Sequence, residues 1–419
     1  MPSCGRSPPR SSSSSWCDGR RRRTGFPGGR GLKHVAVLGA TGSVGGGTLE
    51  VIRRHPARFR AAVLTANRRW EALDALALDL APDFVVLGTP PPDDFAPRWA
   101  GEWRFGAAAL ADAAGSSGID IVLNAVVGFA GLDATLAALG SGKRLALANK
   151  ESLVAGGDLV MEALRRGGGE LLPVDSEHSA VHQCLAGRPV SEVVRVTLTA
   201  SGGPFREWPA RRLATVTPAD ALRHPTWSMG AKITIDSATL ANKALEVIEA
   251  HTLFDLPYER IDVVVHPTSI VHSVVEFRDG SSLAQLGRPS MEIPILWALG
   301  YPDRLDDARR EAGFDPVRDG PLEFEPVREE DFPLFRAGVA AGKRGGEFPV
   351  AFNAANEVAV ERFLSGDVGF RELADVVLRT LERFSSRAIE SVEDARRVDS
   401  RARAIARDPH GESKSGEAE

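Results

Sequence analysis

The chain has 419 residues, of which 43% are hydrophobic and 26% charged, with a formal net charge of −5 at pH 7. That length exceeds one ordinary core and implies two or three domains, and the composition is that of a globular soluble protein. The charge offers no general attraction to nucleic acid or an anionic membrane, and no apolar run reaches the roughly 18 residues of a membrane span, so neither partner is expected.

Residues 1–30 are dominated by Pro, Ser, Gly and Arg, with Ser11 to Ser15 and Arg20 to Arg23 as runs and no apolar h-region. Such a segment cannot bury enough apolar surface to fold and is not a secretory signal. A disordered extension and an organellar transit-like segment both remain open; the first goes with a bacterial cytoplasmic protein, the second with a plastid one. Cys4 and Cys17 lie in this segment and Cys184 stands alone in the body. Without a CxxC pair, a zinc knuckle or disulfide framework is not expected, and the body suits a reducing compartment.

Over residues 31–175, short apolar runs alternate with amphipathic stretches. The runs 34–38, 61–64, 84–87, 121–123, 145–148 and 171–174 read as strands; 44–54, 70–80, 132–139 and 153–165 read as helices. This alternation implies βαβ units and a parallel, doubly wound, Rossmann-like sheet. The first turn reads Gly39-Ala-Thr41-Gly42-Ser43-Val44-Gly45, between a strand and a helix. Glycines there let the backbone approach a pyrophosphate, which the free N–H groups of the helix start attract, although a bare glycine turn also occurs without a ligand. After the second strand comes Asn67-Arg68-Arg69, with no acid to hold ribose hydroxyls. Two guanidinium groups suit the 2′-phosphate of NADPH, or are simply a solvated basic turn. Asn149-Lys150-Glu151 ends another strand, at the sheet edge where ligands bind.

Residues 176–300 have a different texture and read as a central α+β catalytic domain. Strands are expected at 193–199, 262–265, 273–277 and 283–286, with a hairpin turn at Asp279-Gly280 and one strong helix over 238–254. Asp175 and Glu177 follow a strand, and in an extended chain side chains at i and i+2 share a face, so both carboxylates could meet one ion. Glu246 would be the third, sharing a helix face with Asn242 and Lys243. An all-oxygen set suits Mg²⁺ or Mn²⁺, with Co²⁺ possible; the plain alternatives are surface acids and an ordinary Lys243–Glu246 ion pair. Ser201-Gly202-Gly203-Pro204 could cradle a phosphate, and Ser237 could cap the helix that carries Glu246. His224-Pro-Thr-Trp227-Ser-Met-Gly230 reads as a lid over a substrate or as a buried loop. Residues 301–331 read as a linker, 332–407 as a C-terminal helical domain, and 408–419 as a disordered tail.

Taken together, GATGSVG (39–45), ANKESLV (148–154), LLPVDSEH (171–178), SGGPF (201–205), HPTWSMG (224–230), IDSATLANKALEVIEA (235–250), HPTSIVHS (266–273), LAQLG (283–287) and NAANEVAV (353–360) resemble the 1-deoxy-D-xylulose 5-phosphate reductoisomerase family. The resemblance implies a homodimer that uses NADPH and a divalent metal to rearrange and reduce a small sugar phosphate. It implies Asp175, Glu177 and Glu246 as metal ligands, and Lys150, Ser176, Glu177, Ser201, His224, Ser237, Asn242, Lys243 and Glu246 at the substrate. The catalytic candidates are Lys150, Glu177, His224 and Trp227, with Lys150 and Glu177 for proton handling. Those at the cofactor are Gly39, Thr41, Gly42, Ser43, Val44, Asn67, Arg68, Arg69, Asn149, Glu151, Gly230 and Met291. Two departures stand out: Ala66-Asn67-Arg68-Arg69 replaces the family's usual Gly–basic–Asn, and Ser290 stands where Asp is common. A semialdehyde dehydrogenase shares the glycine turn but needs a nucleophilic cysteine, and a nucleotide sensor without catalysis would not need the three acids.

Overall fold

The computed structural model describes residues 31–227, 229–307 and 313–408. The readings of residues 1–30, of Ser228 in the lid segment and of the tail from 409 lie outside the described residues.

The first part is a seven-stranded sheet. Its elements run β1 (Lys33–Leu38), α1 (Ser43–Arg54), β2 (Phe59–Ala66), α2 (Trp70–Leu80), β3 (Phe84–Leu87), β4 (Glu102–Phe105), α3 (Gly106–Gly115), β5 (Ile121–Asn124), α4 (Leu132–Gly140), β6 (Arg144–Leu147), α5 (Lys150–Gly167) and β7 (Glu170–Pro173). All neighbours in the order β4-β3-β2-β1-β5-β6-β7 are parallel. The inner strands are buried on both faces, which is why they read as unbroken apolar runs: Val35, Ala36, Val37 and Leu38 are all fully buried. The chain winds outward from β1 to β4, then returns to β5 on the other side. The strand order therefore reverses beside β1, where a crevice opens at the carboxyl ends of the strands.

The sequence reading missed β4 and α3. β4 is an exposed edge strand, Glu-Trp-Arg-Phe, with no apolar run to mark it, and α3 is so rich in Ala and Gly that its two faces hardly differ.

The second part contains α6 (Ser176–Leu185), β8 (Val193–Ala200), the single turn α7 (Pro218–Ala221), α8 (Ala231–Ala238), α9 (Ala241–Phe254), β9 (Ile261–Val265), β10 (Val271–Phe277), β11 (Ser282–Leu286), α10 (Glu292–Gly300) and β12 (Glu325–Pro326). The strands form a mixed sheet, β11-β10-β8-β9-β12. The expected hairpin is present: Gly280, with φ of +83°, turns β10 into β11. Two expectations need correction. The helix read over 238–254 is two helices, because Leu240 adopts a left-handed φ of +59° that breaks the ladder and turns the chain. Ser237 therefore lies in the last turn of α8 and does not cap α9. The segment 301–331 is also more than a connection, since β12 pairs antiparallel with β9 and completes the sheet edge.

Helices α11 (Pro333–Arg344), α12 (Glu347–Ser365), α13 (Glu372–Leu381) and α14 (Val392–Arg407) form the C-terminal region. The stripe Leu373, Val376, Val377 and Leu381 is buried, as its i, i+3, i+4 spacing demands. One continuous core joins this region, the mixed sheet and one face of the parallel sheet; α1, α2 and α10 cover the other face, with Ile295 and Leu299 of α10 buried there. Among the described residues no helix is long and apolar enough to cross a membrane.

Candidate active site

The glycine turn lies in the crevice next to β1. Gly39 has φ of +82°, and a Cβ there would fall 2.6 Å from the Ala125 carbonyl oxygen, so only glycine fits. Gly42 caps α1 without a side-chain hydrogen bond, which leaves the first-turn N–H groups facing outward with the positive end of the helix dipole. Across the turn, the Arg69 guanidinium donates to the Thr41 carbonyl, Asn67 accepts a 2.8 Å bond from Thr89, and Arg68 is exposed. The two arginines thus diverge: one braces the turn and the other points to solvent.

A cleft of about 400 Å³ runs from this turn into the second part, with Ser43 and Val44 at one end and Asp175, Glu177 and Glu246 on its floor. Ligand oxygens of these three acids all lie within 4.8 Å of one another. They converge by a route different from the extended-chain argument. Asp175 is the N-cap of α6, while Ser176 and Glu177 lie in its first turn, and α9 brings Glu246 from the opposite side. In place of strand alternation, a helix start turns the two side chains of α6 toward α9.

Two lysines are inserted among the acids. Lys150, the first residue of α5, pairs closely with Asp175 and lies 3.3 Å from Glu246 and 3.6 Å from Glu249. Lys243 pairs closely with Glu246, lies 3.6 Å from Glu177, and donates a 2.5 Å bond to the Thr199 carbonyl. Asn242 donates to Glu246 at 2.5 Å, as its i−4 position predicts. His178 Nε2 lies 2.9 Å from the Glu246 carbonyl oxygen and its Nδ1 3.0 Å from Asp175.

So much buried charge cannot all be satisfied. Burial, with Glu246 and Asp175 adding repulsion against the pull of Lys243, pushes the Glu177 carboxyl up to about 8. Burial likewise pushes Glu249 up to about 7 against Lys150. Burial disfavours charge on His178, but Glu249 and Asp175 outweigh it and hold the imidazolium up to about 9. Asp175 resists the same burial through Lys150 and His178 and stays well below the ordinary range. Four acids share this space with Lys150, Lys243 and the His178 imidazolium, and one oxygen each of Asn242 and Glu249 is buried without a hydrogen-bond partner. Converging carboxylates and unsatisfied hard oxygen acceptors fit a divalent cation of the magnesium type.

Beyond the acids, His224 Nε2 lies 3.1 Å from both the Ser201 and the Ser237 hydroxyls. Its Nδ1 accepts from the Thr226 and Trp227 backbone at 3.1 and 2.9 Å, so in the neutral ring the proton sits on Nε2. Burial lowers the His224 pKa and favours that neutral form. Gly203, with φ of +67°, lets the loop after β8 approach to where a Cβ would lie 2.8 Å from the Ser237 carbonyl oxygen. Trp227 and Gly230 form the wall above, and Met291 closes the side next to Val44.

The structure therefore gathers Ser43, Val44, Lys150, Asp175, Ser176, Glu177, Ser201, His224, Trp227, Gly230, Ser237, Asn242, Lys243, Glu246 and Met291 around one cleft. Asn149 and Glu151 are not in its lining. Asn149 caps α5 through Ser152 and donates to Glu151, and Glu151 pairs with Lys232. Sequence reading missed Glu249 and His178. Each lies three positions after a recognised acid on the same helix, and that spacing was the available signal.

A dinucleotide-type fold joined to a carboxylate site for a hard cation defines a two-part, cofactor-dependent enzyme. Three family models match in succession: 1-deoxy-D-xylulose 5-phosphate reductoisomerase over residues 35–157, its C-terminal domain over 171–254, and DXP reductoisomerase C-terminal domain over 286–405. The reductoisomerase of Geobacillus kaustophilus is 48% identical over 382 residues, covering 90% of this chain and 99% of its own. That of Gloeobacter violaceus is 47% identical over 378 residues, covering 89% and 96%. Among solved structures, the Zymomonas mobilis enzyme in complex with NADPH superposes with a TM-score of 0.82 at 42% identity, covering 90% of this chain and 98% of that one. A DOX-P reductoisomerase in complex with NADPH, fosmidomycin and magnesium gives 0.83 at 38% identity, with the same coverage. The chain belongs to the 1-deoxy-D-xylulose 5-phosphate reductoisomerase family.

Proposed function

We propose that the protein converts 1-deoxy-D-xylulose 5-phosphate to 2-C-methyl-D-erythritol 4-phosphate in the non-mevalonate route to isoprenoid precursors, using NADPH and Mg²⁺ or Mn²⁺, with Co²⁺ as a further candidate. The observation that carries this reading is the convergence of Asp175, Glu177 and Glu246 within 4.8 Å on the floor of a cleft that opens onto the glycine turn. The NADPH and magnesium complexes of the similar solved structures support it.

When bound, the cation supplies Lewis acidity to neighbouring oxygens and NADPH supplies the hydride. The protein's own residues do the rest. Asp175, Glu177 and Glu246 hold the cation. Lys150, whose ammonium is buried among them, holds a substrate oxygen and with Glu177 moves protons. Ser176 adds a hydroxyl beside Glu177, to which it donates at 2.8 Å. Ser201, Ser237, Asn242 and Lys243 hold the phosphate, with neutral His224 fixing the two hydroxyls. Asn242 and Lys243 also touch Glu246, so the phosphate and cation sites share a border. Trp227 covers the substrate and excludes water. The turn Gly39, Thr41, Gly42, Ser43 and Val44 receives the pyrophosphate, Asn67, Arg68 and Arg69 the 2′-phosphate side, and Gly230 and Met291 the nicotinamide. Asn149 and Glu151 serve by holding the start of α5. On this reading residues 31–175 bind the cofactor, 176–300 carry the chemistry, and 332–407 pack behind it, in a cytoplasmic homodimer.

The test mixes the full chain with substrate, NADPH and Mg²⁺ and follows absorbance of the reduced nicotinamide. Substrate-dependent oxidation abolished by EDTA and restored by Mg²⁺ is expected. A folded protein that binds NADPH yet leaves it unoxidised would overturn the reading.

A further inference from the structure

Beside the cleft lies a second buried charge network that the proposed chemistry does not use. Lys232 is the second residue of α8, two positions after Gly230, where the lid segment ends. Its ammonium sits 3.0 Å from Glu151 on α5 and 3.0 Å from Asp236 on its own helix. Asp236 accepts a 2.7 Å bond from Asn356 on α12. One residue further along α12, Glu357 adds its negative field to Lys232 and is itself held by Asn353 at 3.0 Å and by Arg403 of α14 at 2.7 Å. Asn353, Asn356 and Glu357 of the NAANEVAV segment each bond within this network, although the amide oxygens of Asn353 and Asn356 stay buried without a partner. Burial disfavours charge on Lys232, but Asp236, Glu151 and Glu357 outweigh it and hold the ammonium charged.

The placement of these contacts matters more than their strength, because buried ion pairs are weak evidence for stability. Helix α8 begins where the lid ends, and its last turn carries Ser237, whose hydroxyl meets His224 of the lid. Helix α5 begins with Lys150, among the carboxylates. Lys232 joins the first turn of one helix to the first turn of the other, and Asp236 fastens the last turn of α8 to α12. We propose that Lys232 is a positioning residue: its pairs with Glu151 and Asp236, backed by Glu357, hold α8, and with it the lid's end and Ser237, in register with Lys150. The proposal rests on the function proposed above, in which lid, hydroxyl and Lys150 act on one substrate. A displacement of about 1 Å at such a distance from the chemistry can cost up to about 10²-fold in rate.

The test uses the full chain with NADPH and Mg²⁺. Lys232→Met keeps most of the side chain's bulk and removes its charge. Its kcat/KM for 1-deoxy-D-xylulose 5-phosphate should fall at least about tenfold, through both kcat and KM, while NADPH affinity stays within about twofold. Lys232→Arg should recover most of the loss, and Glu357→Gln should move the same way by less. In the free enzyme, trypsin should cut after Arg223, just before the lid, about threefold faster in Lys232→Met, because a freed α8 lets the segment open more often. A Lys232→Met protein with a lowered melting temperature but wild-type kcat, KM and Arg223 cleavage would overturn the proposal and leave a merely stabilising residue. If Lys232→Met does not fold, Lys232→Arg and Glu357→Gln decide by the same readouts. If the wild-type chain does not turn over the substrate, the functional reading fails instead, and the Arg223 cleavage rates still decide the role of Lys232.

Discussion

Consecutive residues of α5, Lys150 and Glu151, belong to two different buried charge groups. Around Lys150 stand Asp175, Glu177, Glu246 and Glu249, with Lys243 as the second cation. Around Glu151 stand Asp236, Glu357 and Asp399, with Lys232 and Arg403. Each has four acids and two permanent bases, yet they behave differently. In the second group acids alternate with cations and with the amides of Asn149, Asn353 and Asn356; Lys232 outweighs the cost of burial and holds Glu151 below its ordinary pKa, while burial raises Glu357. In the first the acids converge, and burial drives Glu177 to about 8 and Glu249 to about 7. The difference teaches that composition does not separate a brace from a reactive site. A site is the group whose acids converge on a cleft, where a ligand can reach them.

Breaking the first group should cost activity most. Glu246→Gln keeps shape and removes one cation ligand, and steady-state kinetics should show kcat/KM down on the order of 10³-fold. Outside both groups, His182 provides a contrast in which burial acts without a charge cluster. Burial lowers its pKa to about 4. The unfolded chain takes up this proton below about pH 6.5 and the folded one only near 4, so stability present above 6.5 is lost as pH falls through that window, by up to about 3 kcal/mol. Denaturant titrations at pH 7 and pH 4.5 should show that loss, and His182→Gln should remove this share of it. Adding Mg²⁺ sharpens the comparison. At about 100 times its dissociation constant, a cation that binds only the folded state adds about 2.7 kcal/mol, so the melting temperature of the wild type should rise and that of Glu246→Gln should not. In the second group, Arg403→Met strands Glu357 and Asp399 close to the surface and should cost about 2 kcal/mol in urea unfolding. A loss of activity per folded molecule larger than that of Glu246→Gln would reverse the assignment of the two groups.

Much of this was legible along the chain. The buried strands β1, β3 and β5 are apolar runs, α2 starts and stops where its pattern does, and the glycine turn lies between the first strand and helix. Asp175, Glu177, Glu246 and the serines around His224 were all readable as candidates. The edge strand β4 was not, because an edge has only one neighbour and tolerates charge. Nor was the break at Leu240, where surrounding packing holds a leucine in a left-handed conformation that its own propensity opposes. That break moved Ser237 from the start of one helix to the end of another.

The sequence by itself determined the doubly wound sheet, the helical C-terminal region and the identity of the acids, because periodicity and residue chemistry are local properties. Only the tertiary structure decided that Asp175 and Glu177 meet Glu246 through a helix start, that Glu249 and His178 join them, and that Glu151 turns away to Lys232. Those outcomes depend on distances between residues far apart in the chain, such as Lys150 and Glu246 at 96 positions, and electrostatic energy in a buried site is set by distance and desolvation, which no local pattern records.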